Sequence, residues 1–468
     1  VLRIETNQPA FDRLVNDWLP YQLLCSRLWG RTGPSQRSGA YGFRDQLQDV
    51  LPLTLLKPEW VRSQIVLHAA QQFIAGDCVK WWHPSWEGKT GIAVRTRASD
   101  PHLWLPYVVN RYVEATGDTG VLAEQVAFLE GRPVPKGHEG FLFAARPSRD
   151  TGSVYEHCRR AIEYTLARRG AHGLPLLGSG DWNDALDVPG IKGKGESVWL
   201  GFFLHDVLTK FASVAERCEG VEAGSHYLKE AKDLSAALEG MWRDDFYLRA
   251  ITDGGEEFSL CSALMSAWPL LSGAVDAKRG QMALETGLKR LEKTDRVLLL
   301  TPPFTEDSLP YPGRIAEYPP GVRENGGQYS HGVSWLVDAL LCCAEQAASL
   351  DVAESWRARA WDLWMKISPL SKSGRADIYG LPPHQQPADI YDGPGFEGRG
   401  GWSWYTGAAA RMLSAAYALL GVRIENGELE LPADLRARKG HLQIRRVYYR
   451  GRQLALDGSR KANDDTQS

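Results

Sequence analysis

Several features that would assign a chain quickly to a class are scarce in this sequence of 468 residues. Its seven cysteines are an odd number without a Cys-x-x-Cys pair. This argues against a disulfide framework and against a zinc site, and it predicts reduced thiols in a cytoplasmic protein. No apolar run reaches the length of a membrane span, and the pattern of the first residues leads us to expect no signal peptide among them. The formal net charge of −3 gives no reason to expect nucleic acid or an anionic membrane as a partner.

Strand-like alternation is also scarce before Gly421. Helical spacing of apolar residues recurs instead, from the run that contains Leu14 and Trp18 onward. It predicts about a dozen helices, a short one over 118–130 among them, separated in pairs by long loops. The helices carry the Ala and Leu, whereas the loops carry the Gly, Trp, Arg and Asp. The prediction is a mainly α fold, an (α/α)6 toroid of six helical hairpins over residues 13–420, with the loops gathered around one cavity. Residues 1–12 are expected to be a lead or linker.

The end of the chain has a different pattern. VRIENGELEL and GHLQIRRVYYRGRQLAL alternate as strands do, and the Glu-Asn-Gly at 425–427 is a hairpin signal. We expect residues 421–458 to be the truncated start of a C-terminal β-sheet domain. The polar residues 459–468 are expected to form a disordered tail.

Tryptophan is abundant, with 17 residues, and many stand in polar, glycine-rich stretches. A carbohydrate cleft explains tryptophans in loops better than a core does, because flat apolar rings stack on sugars. The stretch GSGDWNDAL at 178–186 adds Asp181, Trp182 and Asp184. Together they offer a proton donor, hydroxyl partners and an aromatic platform, as sugar chemistry requires. The alternative is an Asx-rich loop that caps a helix.

The two aspartates of this stretch are three residues apart. They are therefore too close to flank a sugar from opposite faces. Asp184 is the candidate proton donor, and Asp181 is expected to shape the loop or to hold a hydroxyl.

Two further loops carry cations. In YGFRDQLQD at 41–49, Arg44 and Asp45 are suited to fixing sugar hydroxyls by charged hydrogen bonds. The alternative for this loop is a surface ion pair before a helix. In VRTRASD at 94–100, Arg95 and Arg97 alternate as in a strand and would face one side. An ordinary exposed basic pair is the alternative there.

Two glycine-rich loops precede apolar helices. YPPGVRENGGQYSHG at 318–332 brings Glu324, Gln328, Tyr329 and His331 close together, a set suited to a sugar or an oxyanion; the alternative is a long surface loop. In GFEGRGGWSWYTG at 395–407, the last two residues, Thr406 and Gly407, begin a helix, whose free N–H groups favour an anion. The alternative is a plain glycine-rich turn before a core helix.

With these loops side by side, the chain resembles the catalytic domain of glycoside hydrolase family 94. This family contains the inverting cellobiose, chitobiose and 1,2-β-oligoglucan phosphorylases and the C-terminal domain of cyclic β-1,2-glucan synthases. The matching stretches follow the family's order over roughly residues 15–420 and are closest to the glucan-synthase and oligoglucan-phosphorylase branch. They are GAYGFRDQLQDVLPL, VRTRASDPHLWLPY, GLPLLGSGDWNDALD, GKGESVWLGFFLH, LTPPF, PPGVRENGGQYSH and GRGGWSWYTG.

The resemblance implies roles for particular residues. Asp184 falls on the family's general acid, and Trp182 on the tryptophan that lines the cleavage point. Arg44 and Asp45 match residues that hold the non-reducing-end sugar. The phosphate pocket matches His331, Thr406 and Gly407. Asp181, Glu324, Gln328 and Tyr329 complete the expected saccharide site.

The implied reaction is inverting phosphorolysis of β-glucosides, with β-1,2-linked gluco-oligosaccharides as the favoured substrates. It yields α-glucose 1-phosphate and a shortened saccharide, with inorganic phosphate as co-substrate, no cofactor and no metal. Opposite Asp184 we expect cations and N–H donors rather than a second carboxylate at roughly 6.5–9.5 Å, the spacing of inverting hydrolases. Glu324 is the carboxylate that would favour hydrolysis if it faced the anomeric carbon.

Two alternatives remain: an inverting glycoside hydrolase, and a non-catalytic or chain-length-controlling saccharide-binding domain of a cyclic β-glucan synthase. The resemblance also implies a homodimer, a preceding β-sandwich and helical linker and, for the synthase branch, a larger polypeptide at the inner membrane.

Overall fold

The computed structural model describes residues 2–29, 39–83, 91–135, 137–432, 442–454 and 456. Helices account for about half of the chain. They are α1 (Pro9–Arg13), α2 (Leu19–Leu23), α3 (Phe43–Val50), α4 (Pro58–Ala69), α5 (Trp104–Thr116), α6 (Val154–Leu166), α7 (Val198–Glu219), α8 (Val221–Glu239), α9 (Ala263–Ser272), α10 (Ala277–Leu291), α11 (Ser330–Val333), α12 (Trp335–Glu345), α13 (Leu350–Ile367), α14 (Ala376–Tyr379) and α15 (Thr406–Leu420).

Shorter helical turns join or extend these helices. Two π-helical segments, Leu14–Trp18 and Leu24–Trp29, make one continuous helical stretch with α1 and α2. The 3-10 turns are Leu51–Thr54, Pro101–Leu103, Thr119–Ala123, Arg314–Glu317 and Pro369–Arg375.

The helices pack in a regular order. In one set, α3 contacts α5, α5 contacts α7, α7 contacts α9, α9 contacts α12, α12 contacts α15, and α15 returns to α3. The other helices lie against this set, with α2 on α15, α4 on α3 and α5, α6 on α5, α8 on α7, α10 on α9 and α13 on α12. The alternation of inner and outer helices follows from burial, since α7 and α15 are apolar on most faces while α8 and α10 bury one stripe.

Large aromatic rings fill the middle of the inner set. Trp199 stacks on Phe203 with ring centroids 5.4 Å apart, and Trp268 meets Trp335 edge to face at 5.3 Å. Trp335 in turn meets Trp182 at 5.1 Å, which carries the aromatic column up to the loop at 178–186. Helix α7 alone among the described helices is long and apolar enough to cross a membrane, but most of its apolar stretch is packed inside the fold, as in the core helices of many proteins.

The strands are short and lie mainly in the connecting loops. Those before α9 are β1 (Leu2–Thr6), β2 (Tyr41–Gly42), β3 (Val79–Trp82), β4 (Ile92–Thr96), β5 (Gln125–Glu130), β6 (Gly140–Ala144), β7 (Arg146–Ser153), β8 (Glu196–Ser197), β9 (Trp242–Arg243), β10 (Phe246–Tyr247), β11 (Ala250–Ile251), β12 (Glu257–Phe258) and β13 (Cys261–Ser262). The later ones are β14 (Leu300–Thr301), β15 (Gln328–Tyr329), β16 (Asp389–Ile390), β17 (Arg423–Glu425), β18 (Glu428–Glu430), β19 (Ile444–Tyr449) and β20 (Arg452–Leu454).

Two of these sheets position the loops of the candidate site. The antiparallel order β2-β3-β4-β6 places Tyr41 opposite Trp82, immediately before α3. The pair β15-β16 sets Gln328 opposite Ile390, immediately before α11.

Two sequence expectations need correction. Residues 2–6, expected to be a lead, form β1, because Leu2 and Ile4 are buried at alternate positions and the strand pairs with β19. The sequence also predicts a short helix over 118–130, but only Thr119–Ala123 is helical. The residues that follow alternate between buried and exposed and form β5, paired with β7.

The strands after Gly421 belong to two different sheets. The predicted Glu-Asn-Gly hairpin is confirmed: Asn426 and Gly427 have positive φ, and β17 pairs with β18 around them. This hairpin hydrogen-bonds to the end of α5, whereas β19 and β20 extend the sheet that contains β1. The expected tail at 459–468 lies outside the described residues.

Candidate active site

A cavity of about 570 Å³ opens among the loops. Its wall is unusually polar and aromatic for a pocket between helices. The lining residues are Arg27, Tyr41, Arg44, Asp45, Gln48, Lys80, Trp81, His83, Trp182, Asp184, Arg314, Tyr318, Arg323, Glu324, Tyr329, His331, Trp402 and Tyr405, with Ala40, Gly42 and Ala185.

The loop at 178–186 is held rigidly beneath this cavity. Gly178 has φ +63°, and a Cβ there would lie 2.2 Å from the carbonyl oxygen of Arg97, so only glycine fits. Asp181 is fully buried and accepts two hydrogen bonds from Arg249, at 2.7 and 2.6 Å, and one from the Ser197 hydroxyl at 2.7 Å. This bidentate pair fixes the loop, so that the next residues face the opening.

Asp184 faces the cavity with 43% of its side chain exposed. Its Oδ2 lies 2.6 Å from Arg44 Nη2, and its Oδ1 lies 3.1 Å from Lys80 Nζ. Burial favours the protonated form, but the charges of Arg44 and Lys80 outweigh it and hold the pKa of Asp184 below its ordinary value. In this arrangement Asp184 is a carboxylate, and we name Asp184, Arg44 and Lys80 the acid wall.

Arg44 is the fixed member of the acid wall. Its Nη1 donates to Asp100 Oδ1 and to the backbone oxygen of Asp181, both at 2.8 Å. Burial raises the pKa of Asp100 to about 6, although Arg44 and the indole of Trp104 favour its charged form. Asp45, the neighbour of Arg44, also lines the cavity.

The rings of Trp182 and Tyr329 also line the cavity, and we name them its floor. Trp182 is 6% exposed, and its indole N–H donates to Gln48 at 3.2 Å. Its ring meets Tyr329 edge to face at 5.9 Å and His331 at 5.0 Å. Such a floor offers an apolar face to a sugar ring.

Another part of the cavity lining has buried nitrogens without partners. His331 is 3% exposed, and within the described residues neither ring nitrogen has a hydrogen-bond partner. Burial, followed by the charges of Arg411, Arg44 and Arg27, lowers the pKa of His331 well below its ordinary value, so the ring is neutral. A neutral imidazole still carries one N–H donor.

Beside His331 lies the beginning of α15. A Cβ on Gly407 would stand 2.5 Å from His331 Nδ1, so glycine is required for the ring to approach the helix start. In the part of the chain that the structure describes, no side chain caps this end of α15, and its first N–H groups are therefore open to an anion.

Beneath the start of α15, a buried arginine joins the cluster. Arg27 is 1% exposed, and its Nε donates to Asp49 at 2.6 Å and to the Thr406 hydroxyl at 3.0 Å. Its Nη1 is buried and lacks a partner among the described residues. Thr406 in turn donates to Asp49 at 2.5 Å, so its only hydroxyl proton is already used. We name His331, Arg27 and the start of α15 the anion wall.

A carboxylate also lies in the cavity. Glu324 is 14% exposed and pairs with Arg323 at 3.2 Å. Burial, helped by the charge of Asp184 and opposed by Arg323, raises the pKa of Glu324. The Arg323 guanidinium lies between the rings of Tyr318 and Trp402, at 4.3 and 4.0 Å, which holds it in place.

Most of the predicted site residues therefore meet in one cavity: Arg44, Asp45, Trp182, Asp184, Glu324, Tyr329 and His331 line it. Thr406 and Gly407 lie next to it, against Arg27 and His331. Asp181 and Gln328 are corrections to the expected saccharide site, because both are fully buried and bound to other parts of the fold. Gln328 accepts from the backbone of Val297 at 3.0 Å.

The basic pair at 95 and 97 is outside the cavity lining as well. Arg95 makes a buried bidentate pair with Asp77, with both distances 2.7 Å. Conversely, the sequence patterns did not predict Arg27 and Lys80 as site residues. Arg27 lies in a helix of mixed composition, and Lys80 lies in a tryptophan-rich strand. Among the described residues, no three His, Cys, Asp or Glu side chains are grouped closely enough to hold a metal ion.

The helical fold is one that solved glycosidases also have. A rhamnosidase of the GH78 family from Bacillus sp. GL1 superposes with a TM-score of 0.57 at 12% identity, over 91% of this chain and 36% of that one. A mannosylglycerate hydrolase of the GH63 family from Thermus thermophilus, solved with glucose, gives 0.50 at 12% identity, over 81% and 93%. The fold thus belongs to a class of helical domains that these structures share.

Within this class the family is settled by sequence. Residues 1–421 match the model of the glycosyl hydrolase 94 superfamily, catalytic domain, and the chain belongs to that family. It is 37% identical over 440 residues to the cyclic beta-(1,2)-glucan synthase NdvB of Rhizobium meliloti (strain 1021), covering 92% of this chain and 15% of the synthase. It is 29% identical over 434 residues to the solabiose phosphorylase of Paenibacillus borealis, covering 88% and 50%. The chain thus spans half or less of these relatives' length.

Proposed function

We propose that this chain catalyses inverting phosphorolysis of β-glucosides, and that β-1,2-linked gluco-oligosaccharides are its substrates. The products are α-glucose 1-phosphate and a saccharide shortened by one glucose. The observation that carries the proposal is the anion wall: a buried imidazole and a buried guanidinium have nitrogens without partners among the described residues, beside an uncapped helix start. Buried donors without partners cost about 1–3 kcal/mol each, and a bound phosphate would satisfy them.

The chemistry follows from the two walls. Asp184, once protonated, donates its proton to the glycosidic oxygen as the bond from that oxygen to the anomeric carbon breaks. Phosphate between His331 and Arg27 attacks the anomeric carbon from the opposite face, so the configuration inverts. No general base is required, because phosphate is already an anion at neutral pH.

The substrate class is drawn from two sources. The floor of Trp182 and Tyr329, with Arg44 and Asp45 at its edge, is suited to a glucose ring and its hydroxyls. The β-1,2 linkage is proposed from the likeness to a cyclic β-(1,2)-glucan synthase. Phosphorolysis is proposed from the family match and the likeness to a solabiose phosphorylase.

An inverting glycoside hydrolase is the second candidate, and Glu324 is the observation that favours it. This carboxyl lines the same cavity as Asp184 and is near enough for the charge of Asp184 to raise its pKa. The carboxyl group of Glu324 is already paired with Arg323, which is why we rank hydrolysis second. A saccharide-binding domain without turnover, within a cyclic glucan synthase, is the third.

One assay separates the three. The chain is incubated with β-1,2-gluco-oligosaccharides with and without inorganic phosphate. Glucose 1-phosphate formed only with phosphate supports phosphorolysis. Free glucose formed in both mixtures supports hydrolysis, and saccharide binding without any turnover supports the non-catalytic domain.

We also infer the wider architecture. The circular order of helix contacts supports an (α/α)6 toroid of six hairpins, with the helices of residues 9–29 as the outer member of the first. That residues 421–458 begin a C-terminal β-domain, that the chain forms a homodimer, and that it belongs to a larger synthase polypeptide at the inner membrane stay predictions. Size measurements on the protein and on its parent would test the last two.

A further inference from the structure

Both oxygens of the candidate proton donor are occupied by cations from two separate elements. Arg44 of α3 binds Asp184 Oδ2 at 2.6 Å, and Lys80 of β3 binds Oδ1 at 3.1 Å. A carboxylate in this state has no proton to donate, and the two cations beside it oppose its protonation. Withdrawal of one of them would let Asp184 bind the proton that an acid needs.

The two cations differ in how firmly they are held. Arg44 has two further partners, Asp100 and the backbone oxygen of Asp181, and its side chain is 10% exposed. Lys80 is 30% exposed, and Asp184 is its one ion-pair partner among the described residues. A lysine ammonium on a flexible four-carbon stem also gives up a position more readily than a guanidinium held at several points. Lys80 is therefore the cation that a ligand can displace.

The other groups around Asp184 do not take this role. Arg314 reaches only the backbone oxygen of Asp184, at 3.5 Å, and its Nε is bound to Asp187 at 2.5 Å. The groups whose charges act on Asp184, or that feel its charge, are Arg44, Lys80, Arg314, Asp100, Glu324 and Tyr318. Of these, Lys80 is the one that combines direct contact with the carboxylate and exposure to the cavity.

We propose that Lys80 is a positioning residue that holds Asp184 as a carboxylate in the free protein and withdraws when a saccharide enters. This inference rests on the proposed function. The incoming glycosidic oxygen takes the place of the ammonium, and Asp184 binds a proton from solvent. That proton then passes to the glycosidic oxygen as its bond to the anomeric carbon breaks. Arg44 stays in place to orient the carboxyl group.

The first test is the pH dependence of phosphorolysis in Lys80→Gln, with Lys80→Arg as the variant that keeps the charge. Because kcat/KM reports the free enzyme and kcat the complex, Lys80→Gln should extend the alkaline limb of kcat/KM to higher pH, with kcat/KM about tenfold above wild type there. The alkaline limb of kcat should not move, and in Lys80→Arg, which keeps the charge, the alkaline limb of kcat/KM should stay at its wild-type position. Lys57→Gln removes an exposed lysine paired with Glu59 and should change neither profile.

A lysine that merely supports the fold would lower kcat at every pH without shifting a limb, and that result overturns the proposal. So does an alkaline limb that moves equally in kcat and kcat/KM.

The second test holds even if the chain proves not to be a phosphorylase. Affinity for a β-1,2-linked glucotriose is measured by calorimetry without phosphate, in Lys80→Gln, Asp184→Asn and the double variant. Because the sugar no longer has to break the ion pair, Lys80→Gln should bind several-fold more tightly than wild type. In the Asp184→Asn background the same change should have no effect. Weaker binding by Lys80→Gln, or an equal effect in both backgrounds, overturns the inference, whereas absent turnover with the expected binding pattern overturns only the proposed function.

Discussion

The acid wall and the anion wall line one cavity and differ in how their polar groups are paired. On the acid wall, both oxygens of Asp184 are bound by cations. On the anion wall, the nitrogens of His331 and one nitrogen of Arg27 have no partner within the described chain. The carboxylate of Asp184 has its ion-pair partners without a ligand, and we expect a saccharide to displace one of them. The buried nitrogens of the anion wall lack partners, and we expect a bound anion to supply them. From this difference we expect the saccharide at the acid wall and phosphate at the anion wall.

The two aspartates of one loop repeat this contrast at close range. Asp181 is fully buried and bound by Arg249, whereas Asp184 is 43% exposed and bound by groups on the cavity wall. The first fixes the loop and the second faces the ligand. Substitution of Asp181 should therefore lower mainly the free energy of unfolding, and substitution of Asp184 should lower mainly the activity.

The largest expected effect on activity comes from Asp184→Asn. Removing a positioned proton donor should lower kcat for phosphorolysis by about 10²–10⁴-fold. Saccharide binding should remain, because the amide keeps the shape of the side chain. Initial rates of glucose 1-phosphate formation and calorimetry measure the two quantities. Activity near that of the wild type would show that Asp184 is not the acid and would leave Glu324 as the carboxyl to examine.

The largest expected effect on stability comes from Asp181→Asn. It leaves the Arg249 guanidinium buried without a countercharge, which costs about 3–5 kcal/mol of unfolding free energy. Urea unfolding followed by tryptophan fluorescence measures the loss. Asp184→Asn is the matched control in the same loop and should change the unfolding free energy by less than about 1 kcal/mol, because the Asp184 side chain is 43% exposed and Arg44 keeps Asp100 as its countercharge. Equal losses of unfolding free energy in both variants would show that the two aspartates do not differ in their contribution to stability.

The anion wall is tested by Arg27→Lys. Lysine keeps a charge near Asp49 but loses the unpartnered Nη1, so one charge-assisted hydrogen bond to phosphate disappears. Such a bond contributes about 1.5–3 kcal/mol, and the KM for phosphate should rise by roughly 10–100-fold. The affinity for β-1,2-gluco-oligosaccharide without phosphate should stay at the wild-type value. If only the saccharide affinity changed, we would assign Arg27 to the sugar site and not to the anion wall.

The sequence predicted the parts of the site that are local in the chain. Trp182 and Asp184 share one loop, and His331 lies in the short helix α11 shortly before α12, so pattern and family resemblance placed them together. Arg27 was missed because its partner Thr406 is 379 positions away. Lys80 was missed because it stands in a strand among tryptophans and meets Asp184 only through the fold.

What a sequence pattern does not contain is the direction in which a side chain points. Asp181 and Gln328 have the residue types and the spacing of ligand contacts, yet the backbone turns both into the interior. The same reason explains β1: its burial depends on β19, which lies at the other end of the chain.

The smallest expected effect is a pH dependence confined to the anion wall, with sulfate as the probe because it stays a dianion over the working range. His331 is neutral in the free protein, since its pKa lies well below the ordinary value. Without an anion, this buried neutral ring makes the protein less stable as pH falls below about 6.5, because the unfolded chain binds the proton more readily. A bound dianion next to the ring raises the pKa of His331, so protonation of the ring and binding of sulfate favour each other.

The rise in Tm produced by a fixed sulfate concentration should therefore grow as pH falls from about 7.5 to 5.5 in the wild type. In His331→Gln the rise should be smaller and independent of pH, while Lys80→Gln should behave as the wild type, because Lys80 belongs to the acid wall. Thermal unfolding at matched ionic strength, with chloride in place of sulfate, measures the difference. A sulfate effect that is the same in His331→Gln as in the wild type would show that the anion binds elsewhere, and the opposition between the two walls would then have no chemical basis.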